Sequence, residues 1–274
     1  MGRNGGSACS EHLGVRLRRA VYGALVLGCL LTTALVGAVP SSAAEGTRVR
    51  VLQMNLCNSG LAGCYTGRSV SRAAAVIRAQ APDLVTLNEV CRADVPILER
   101  AMGGAASSAF QPARNRPTGG AVRCRNGEPY GIALLSRRPS LRTSGGIYPT
   151  QNPADPEERA WLCVSTTGFA ACTTHLDATN AAVARAQCRY LVATVLPPLR
   201  SPTVVGGDFN LRASMKGCLA AGQERVDDGG VQNVVVGPQF AVSSQRRIDM
   251  LKTTDHPGLL VTAQLRTAAT ANVV

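Results

Sequence analysis

The stretch VVGGDFN (204–210) ends an apolar, β-branched run in an acid, an aromatic ring and an amide. Asp208 and Asn210 stand two apart, so in an extended chain their side chains point to the same side. Alone, G-G-D-x-N is equally a strand end followed by an Asx-type turn, with the glycines serving a sharp bend or a close approach. The rest of the chain repeats the pattern. Asn55 closes RVRVLQMN, Glu89 closes DLVTLNE and His175 closes FAACTTH, while Asp249 interrupts RIDM and Asp255-His256 precedes PGLLV. One polar residue at a strand end is a cap or turn former; eight at comparable positions are not explained that way. Both histidines beyond residue 44 lie beside an acid, in THLD and TDH. Carboxylates and amide oxygens suit hard cations and imidazole moves protons, so this is a set for metal-assisted or acid–base chemistry.

The elements that must position these residues follow from periodicity. Apolar or alternating runs predict strands over 48–56, 83–90, 130–137, 159–166, 169–176, 202–209, 247–252 and 258–265. Helical spacing places Val70, Ala73, Ala74 and Ile77 on one face of a helix over 69–80, stopped by Pro82. Further helices are expected over 93–102 and over 180–196, the latter closed by Pro197-Pro198. Helices and strands alternate at first and strands then cluster in hairpins. That order fits an α+β pair of mixed sheets with outer helices, not a doubly wound parallel sheet.

Arg3, Arg16, Arg18 and Arg19 flank an apolar stretch from Ala20 to Val39, followed by the small residues Ser42-Ala43-Ala44. This reads as a secretory signal over 1–44 and one domain over 45–274. An uncleaved anchor and a lipoprotein-type site at Cys29 are the alternatives, since about 20 apolar residues span a bilayer. Without residues 1–44 the chain keeps 25 basic and 16 acidic residues, a net +9, and only Lys216 and Lys252 are lysines. A basic surface on an exported protein fits a polyanionic partner or colloidal solubility. Nothing implies a stable protein partner, and a monomer is expected.

Eight cysteines remain beyond residue 44, and an even number in an exported chain implies disulfides. Zinc is disfavoured because no C-x-x-C pair occurs and two histidines remain. A tight turn at Thr167-Gly168 sets Cys163 across from Cys172. Cys57–Cys64, Cys91–Cys124 and Cys188–Cys218 are suggested for the others without a comparable local argument.

In this order the motifs QMNL, LNEV, YGIALLSR, TTHLD, GGDFN, RIDM and TDHPGL resemble the endonuclease/exonuclease/phosphatase superfamily, from residue 53 to residue 261. The group includes deoxyribonuclease I, neutral sphingomyelinases, inositol polyphosphate 5-phosphatases and abasic-site endonucleases. The resemblance implies a four-layer α/β/β/α sandwich, deoxyribonuclease I-like, with the site at one mouth of the two sheets. It also implies phosphoester hydrolysis. Glu89, with Asn55 beside it, would hold a divalent cation, Mg2+ with Mn2+ or Ca2+ as alternatives, and Asp255 would be a further ligand. His256 would be the general base, oriented by Asp249. Asp208 and Asn210 would sit at the phosphate, Asn210 donating to a non-bridging oxygen; in some members the Asp208 counterpart activates water or binds a second metal. His175, in its THLD context, would be the general acid, supported by Glu128 or Tyr130. Arg159 resembles the phosphate-binding arginine of the deoxyribonuclease branch, and Tyr130 would join it at the phosphate. Strict pairing through Thr167-Gly168 places Arg159 and His175 on opposite faces, so a bulge or longer turn is expected.

The expected substrate is nucleic acid, with a sugar or inositol phosphate monoester or a sphingomyelin-like lipid as alternatives. Inositol phosphatases use a lysine-rich pocket, and this chain has few lysines. Sphingomyelinases need membrane-inserting loops, and the nine aromatics after residue 44 form no cluster.

Overall fold

A computed structural model describes residues 47–266; the expected secretory segment lies outside the described residues. The chain runs through β1 (Arg48–Asn55), α1 (Ser69–Gln80), β2 (Leu84–Cys91), α2 (Val95–Met102), β3 (Ser107–Pro112), β4 (Arg114–Asn115) and β5 (Tyr130–Ser136). It continues with β6 (Arg142–Ile147), β7 (Glu157–Glu158), β8 (Ala160–Ser165), β9 (Ala170–His175) and α3 (Ala181–Tyr190). The last elements are β10 (Thr203–Asp208), β11 (Glu224–Asp227), β12 (Gln232–Val236), β13 (Phe240–Ile248) and β14 (Gly258–Leu265).

One sheet has the order β13-β14-β1-β2-β5-β3 and the other β11-β12-β10-β9-β8-β6, with β4 and β7 forming a separate ladder. The central pairs β1–β2 and β9–β10 are parallel. The two-residue period of β1 sorts its side chains. Leu52 and Met54 face outward into a layer shared with Ala73 and Ile77 of α1 and Leu98 and Met102 of α2. Val49 and Val51 face inward, where Leu84 and Leu134 share a core with Leu162, Phe169, Val204 and Val234 of the other sheet. Beyond that sheet, Val205 and Val235 share a third cluster with Ala184 and Cys188 of α3. The result is the expected four-layer sandwich.

Toward the ends of β1 and β2 the middle layer changes from apolar to polar. Val51 gives way to Gln53 and Leu84 to Thr86 and Asn88, all fully buried. Gln53 Nε2 donates to Asn88 Oδ1 at 2.7 Å and to Gln232 Oε1 of the other sheet at 2.8 Å, while its Oε1 accepts from Thr86 Oγ1 at 2.5 Å. Asn88 completes the bridge by donating to the Thr174 carbonyl at 2.9 Å and accepting from the Asp208 N–H at 2.7 Å. The sheets are close here: a Cβ on Gly206 would meet Thr86 Oγ1 at 2.1 Å. The close approach allowed by Gly206 is therefore sheet against sheet, while a Cβ on Gly207 would meet the Thr174 carbonyl of the adjacent β9 at 2.3 Å.

Several expectations shift. The helix expected from residue 93 begins at Val95 after one 3-10 turn, Arg92–Asp94. α3 is capped by Asn180, whose side chain accepts from the Ala182 and Val183 N–H groups, and widens into a π turn over Leu191–Val195. The strand expected over 247–252 is instead the tail of β13; it stops at Ile248, and Leu251 and Lys252 adopt left-handed backbone, φ 54° and 55°. All four disulfides join the suggested partners, and Cys163 pairs directly with Cys172 across β8 and β9.

Gln53→Leu removes the centre of a buried bridge and leaves Asn88, Thr86 and Gln232 short of partners. Chemical denaturation should show a loss of about 2–3 kcal/mol, the scale of buried polar groups left unsatisfied. A loss below about 0.5 kcal/mol would show that the bridge does not hold the sheets.

Candidate active site

Glu89 enters the site through a backbone irregularity. Alternation along β2 would send it outward with Val85 and Leu87. The pairing of β2 with β5 shifts between Leu87 and Val90, and Glu89 takes a left-handed φ of 55°. A bulge of this kind re-aims a side chain, and here Asn88 and Glu89 both turn inward. The Leu56 N–H donates to the Asn88 carbonyl and the Asn58 N–H to that of Glu89, each at 3.0 Å. Asn210 is the second such residue, with φ 49°, held by its N–H to Asp208 Oδ1 at 3.0 Å.

One cavity of about 580 Å³ takes into its wall every expected residue except Asn55, Asp249 and Glu128. Asn55 lies beneath it, donating from Nδ2 to Glu89 Oε1 at 2.9 Å and to Asp208 Oδ2 at 3.2 Å. Gln232 Nε2 donates to Asp208 Oδ2 at 2.7 Å and stands 3.4 Å from His256 Nδ1. His256 Nε2 lies 3.7 Å from Asp208 and 3.6 Å from Asp255. The imidazole is therefore placed between two acids and a buried amide. Asn210 Nδ2 donates to the Leu176 carbonyl at 2.9 Å, and the second hydrogen of that amide remains for a ligand.

Asp249 does not take its expected place. It is exposed, its Oδ1 accepts the Leu251 N–H at 2.7 Å, and no hydrogen bond joins it to His256. The cause is local: β13 ends at Ile248, and Asp249 closes an Asx-type turn. It shares with His256 only the wall of a neighbouring cavity. Gln232 stands at the ring nitrogen instead. Glu128 is likewise absent from the cavity, whereas Tyr130 lines it. Burial, then the charges of Glu157 and Glu89, hold the Tyr130 phenol well above its ordinary value, so it stays a donor.

Arg159 and His175 do meet, but not through a bulge in the hairpin. The β8–β9 register is regular from Ser165–Ala170 to Trp161–Thr174. Arg159 stands before β8, in the break that follows β7, so the alternation of β8 does not govern its side chain. Its Nη1 is 3.2 Å from His175 Nδ1 and 2.9 Å from Glu157 Oε1, and its Nη2 is 3.1 Å from Asp155 Oδ2. Its Nε, also buried, has no partner among the described residues. A guanidinium only donates, and Nη1 lies 3.2 Å from His175 Nδ1 and 3.5 Å from Nε2; with the nearer Nδ1 as acceptor, the ring proton sits on Nε2, which is 3.9 Å from Glu89 Oε1. Burial, then the charges of Arg159 and His256, push the His175 pKa well below its ordinary value. This setting opposes the imidazolium that the expected general acid requires.

The donor chemistry fits a hard divalent cation. Glu89 and Asp208 have no arginine or lysine bonded to them. Burial raises the Glu89 carboxyl against the Asn55 hydrogen bond and with help from Asp208, and burial raises Asp208 against His256. With Asp255 at the rim these are oxygen donors whose repulsion a cation would relieve. Ligation through Asn55 requires its amide to turn over, since Oδ1 now accepts the Cys57 N–H at 3.0 Å. Cys57 and Cys64 lie beside Asp255 but are joined to each other, so they offer no thiolate.

Four participants were not anticipated: Gln53, Asn88, Gln232 and Glu157. The amides give no sequence signal beyond a polar residue in an apolar run. Glu157 stands in ADPEER, whose acids beside Arg159 were the available clue.

The sequence profile of the Endonuclease/Exonuclease/phosphatase family matches residues 52–256. No curated protein matches the sequence. Among solved structures, an endonuclease/exonuclease/phosphatase from Beutenbergia cavernae is 22% identical with a TM-score of 0.60, covering 81% of this chain and 72% of that one. The human Nocturnin catalytic domain with bound sulfate anion is 17% identical with a TM-score of 0.63, over 80% and 93% of the two chains. TDP2 of D. rerio, complexed with single strand DNA product, is 16% identical with a TM-score of 0.59, over 80% and 99%. At these identities the structural likeness speaks for the fold.

Burial raises the Glu157 carboxyl to about 7, with Arg159 pulling the other way. A folded-state value above the unfolded one means that the stability this group contributes is complete below about 4.5 and is lost as pH rises through about 7. Melting temperatures across that range should therefore fall with pH, and Glu157→Gln should flatten the slope. An unchanged slope in the variant would assign the dependence elsewhere.

Proposed function

This chain belongs to the endonuclease/exonuclease/phosphatase family, whose members hydrolyse phosphoester bonds, and from that premise we propose that it is a secreted, divalent-metal-dependent phosphodiesterase that cleaves nucleic acid. The observation that carries the reading is the convergence of Glu89, Asp208, His256, His175 and Arg159 on one cavity. Export is supported by the signal-like segment 1–44 and by four disulfides, which persist in oxidising compartments. Nucleic acid is supported by the net charge of +9 beyond residue 44 and by the single strand DNA product bound to the similarly folded TDP2.

Glu89 would hold the cation with Asp255, and Asn55 would join once its amide turns. When bound, the cation supplies positive charge against the phosphoryl oxygens; magnesium suits such an oxygen set. His256 would take the proton of the attacking water at Nδ1 or Nε2 once that nitrogen is released from its present neighbour, Gln232 at Nδ1 or Asp208 and Asp255 at Nε2. The free amide hydrogen of Asn210 and the unpartnered Nε of Arg159 are donors for non-bridging oxygens, as the sulfate held by the Nocturnin domain illustrates for an anion on this fold. His175 acts as a neutral donor through Nε2–H toward the departing oxygen.

These roles separate in two experiments. His256→Ala should lower kcat by at least about 10²-fold, the scale of a general base, and His175→Ala by a similar amount. His175→Gln keeps an N–H donor and should recover most of that loss; equal damage from Gln and Ala would restore the general-acid role. Separately, plasmid DNA, RNA, sphingomyelin and a sugar phosphate should be assayed with magnesium and with chelator. DNA or RNA turnover that stops in chelator and in Glu89→Gln is expected. Preference for the monoester or the lipid would replace the nuclease reading, and full activity in chelator would remove the metal.

A further inference from the structure

At the end of the sandwich opposite the mouth, part of the outer face of the first sheet carries arginines instead of a helix-covered core. Arg48 and Arg50 share the β1 face that Leu52 and Met54 continue beneath the helices, and Arg246 lies on β13, two strands away. Together with Ser243, Ser244 and Thr262 they line a groove of about 510 Å³ that no carboxylate lines. None of the ion pairs among the described residues uses these arginines. Arg246 donates to Gln80 Oε1, an uncharged partner. Asp83, the acid bonded to this part of β1, is taken by the Arg50 main-chain N–H at 2.8 Å. Arg48 is seven steps of strand from Asn55, so the groove's far end lies about 23 Å from the catalytic mouth, and its near end, at Leu260 opposite Leu52, about 10 Å. β13 is the edge strand between the two: Arg247, next to Arg246 and on the strand's other face, lines with Lys252 the neighbouring cavity, whose wall also holds Asp249, Asp255 and His256.

We propose that this groove is an exosite for the phosphodiester backbone of nucleic acid, holding the strand that runs on from the scissile phosphate along β13. The inference rests on the nucleic-acid reading of the substrate and adds where its length is bound. Guanidinium forks and hydroxyl donors suit phosphate oxygens, and such contacts position a chain without reading its sequence. A row of basic groups leading to the mouth gives affinity that grows with substrate length and falls with salt.

The test is the triple variant Arg48→Gln, Arg50→Gln, Arg246→Gln. Binding of a long labelled DNA strand is followed by fluorescence anisotropy in chelator, where nothing is cleaved, from low to physiological salt. The variant should bind roughly tenfold or more weakly, with a log–log salt slope shallower by roughly 2, since each single-strand phosphate contact contributes about 0.7. Its melting temperature and its turnover of a dinucleotide diester should match the unsubstituted protein. An unchanged slope overturns the exosite. Loss of heparin binding with DNA binding intact also overturns it, by assigning the groove to a sulfated polyanion. Because binding is read in chelator, failure of the unsubstituted protein to cleave nucleic acid would refute the nuclease reading alone.

Discussion

The site depends on one amide buried between two sheets. Gln53 is fully enclosed, and all the polar ends of its side chain are committed, two hydrogens to Asn88 and Gln232 and the oxygen to Thr86. In an apolar interior an unpaired amide is expensive and a complete network is rigid, so the sheets can approach in one way only. That fixed approach carries through to the reacting groups. Gln232 holds both Asp208 and the His256 ring, and Asn88 holds the Asp208 main chain. His256 on β14's leading turn and Asp208 on β10 thus keep their spacing although they belong to different sheets.

The network also makes room for strain at the mouth. Glu89 and Asn210 both lie in left-handed backbone, which costs on the order of 1–3 kcal/mol each for residues with a side chain. Around Glu89, Cys57–Cys64 and Cys91–Cys124 restrict the unfolded chain on either side of the bulge. Around Asn210, the Asp208 carboxylate and the Leu176 carbonyl fix both ends of the residue. At Glu89 the unusual backbone delivers a side chain that regular alternation would have turned away.

Sequence patterning disclosed what burial enforces and concealed what geometry alone decides. Strands such as Leu84–Cys91 and Thr203–Asp208 are buried on both faces, so their largely apolar runs stand out, and the α1 bounds were read as they occur. The edge strands β3, β6 and β11 pack on one side at most and read as polar loops, which is why RTSGGI gave no signal. The candidate residues were legible because acids and histidines rarely close apolar strands. Their partners were not: whether Asp249 or Gln232 stands at His256 turns on where β13 stops. Likewise, the meeting of Arg159 with His175 turns on a chain break one residue before β8.

The charge layout explains why a basic protein keeps so acidic a centre. Glu89, Asp208, Asp255 and Glu157 line the cavity with two arginines, the exposed Arg123 and the buried Arg159, and Glu157 and Asp155 already engage Arg159. On the proposed function, a phosphodiester would meet these carboxylates beside the arginines, and a cation held at Glu89 would turn repulsive groups into ligands. Metal dependence on this view follows from electrostatics at the point of entry as well as from chemistry on the phosphoryl group. Attraction at longer range must come from elsewhere on the surface, where arginines without acidic partners outnumber the acids. On that proposal, capture and hydrolysis would be divided between the arginine groove and the acidic cavity, with β13 between them, and salt should act on the first much more than on the second.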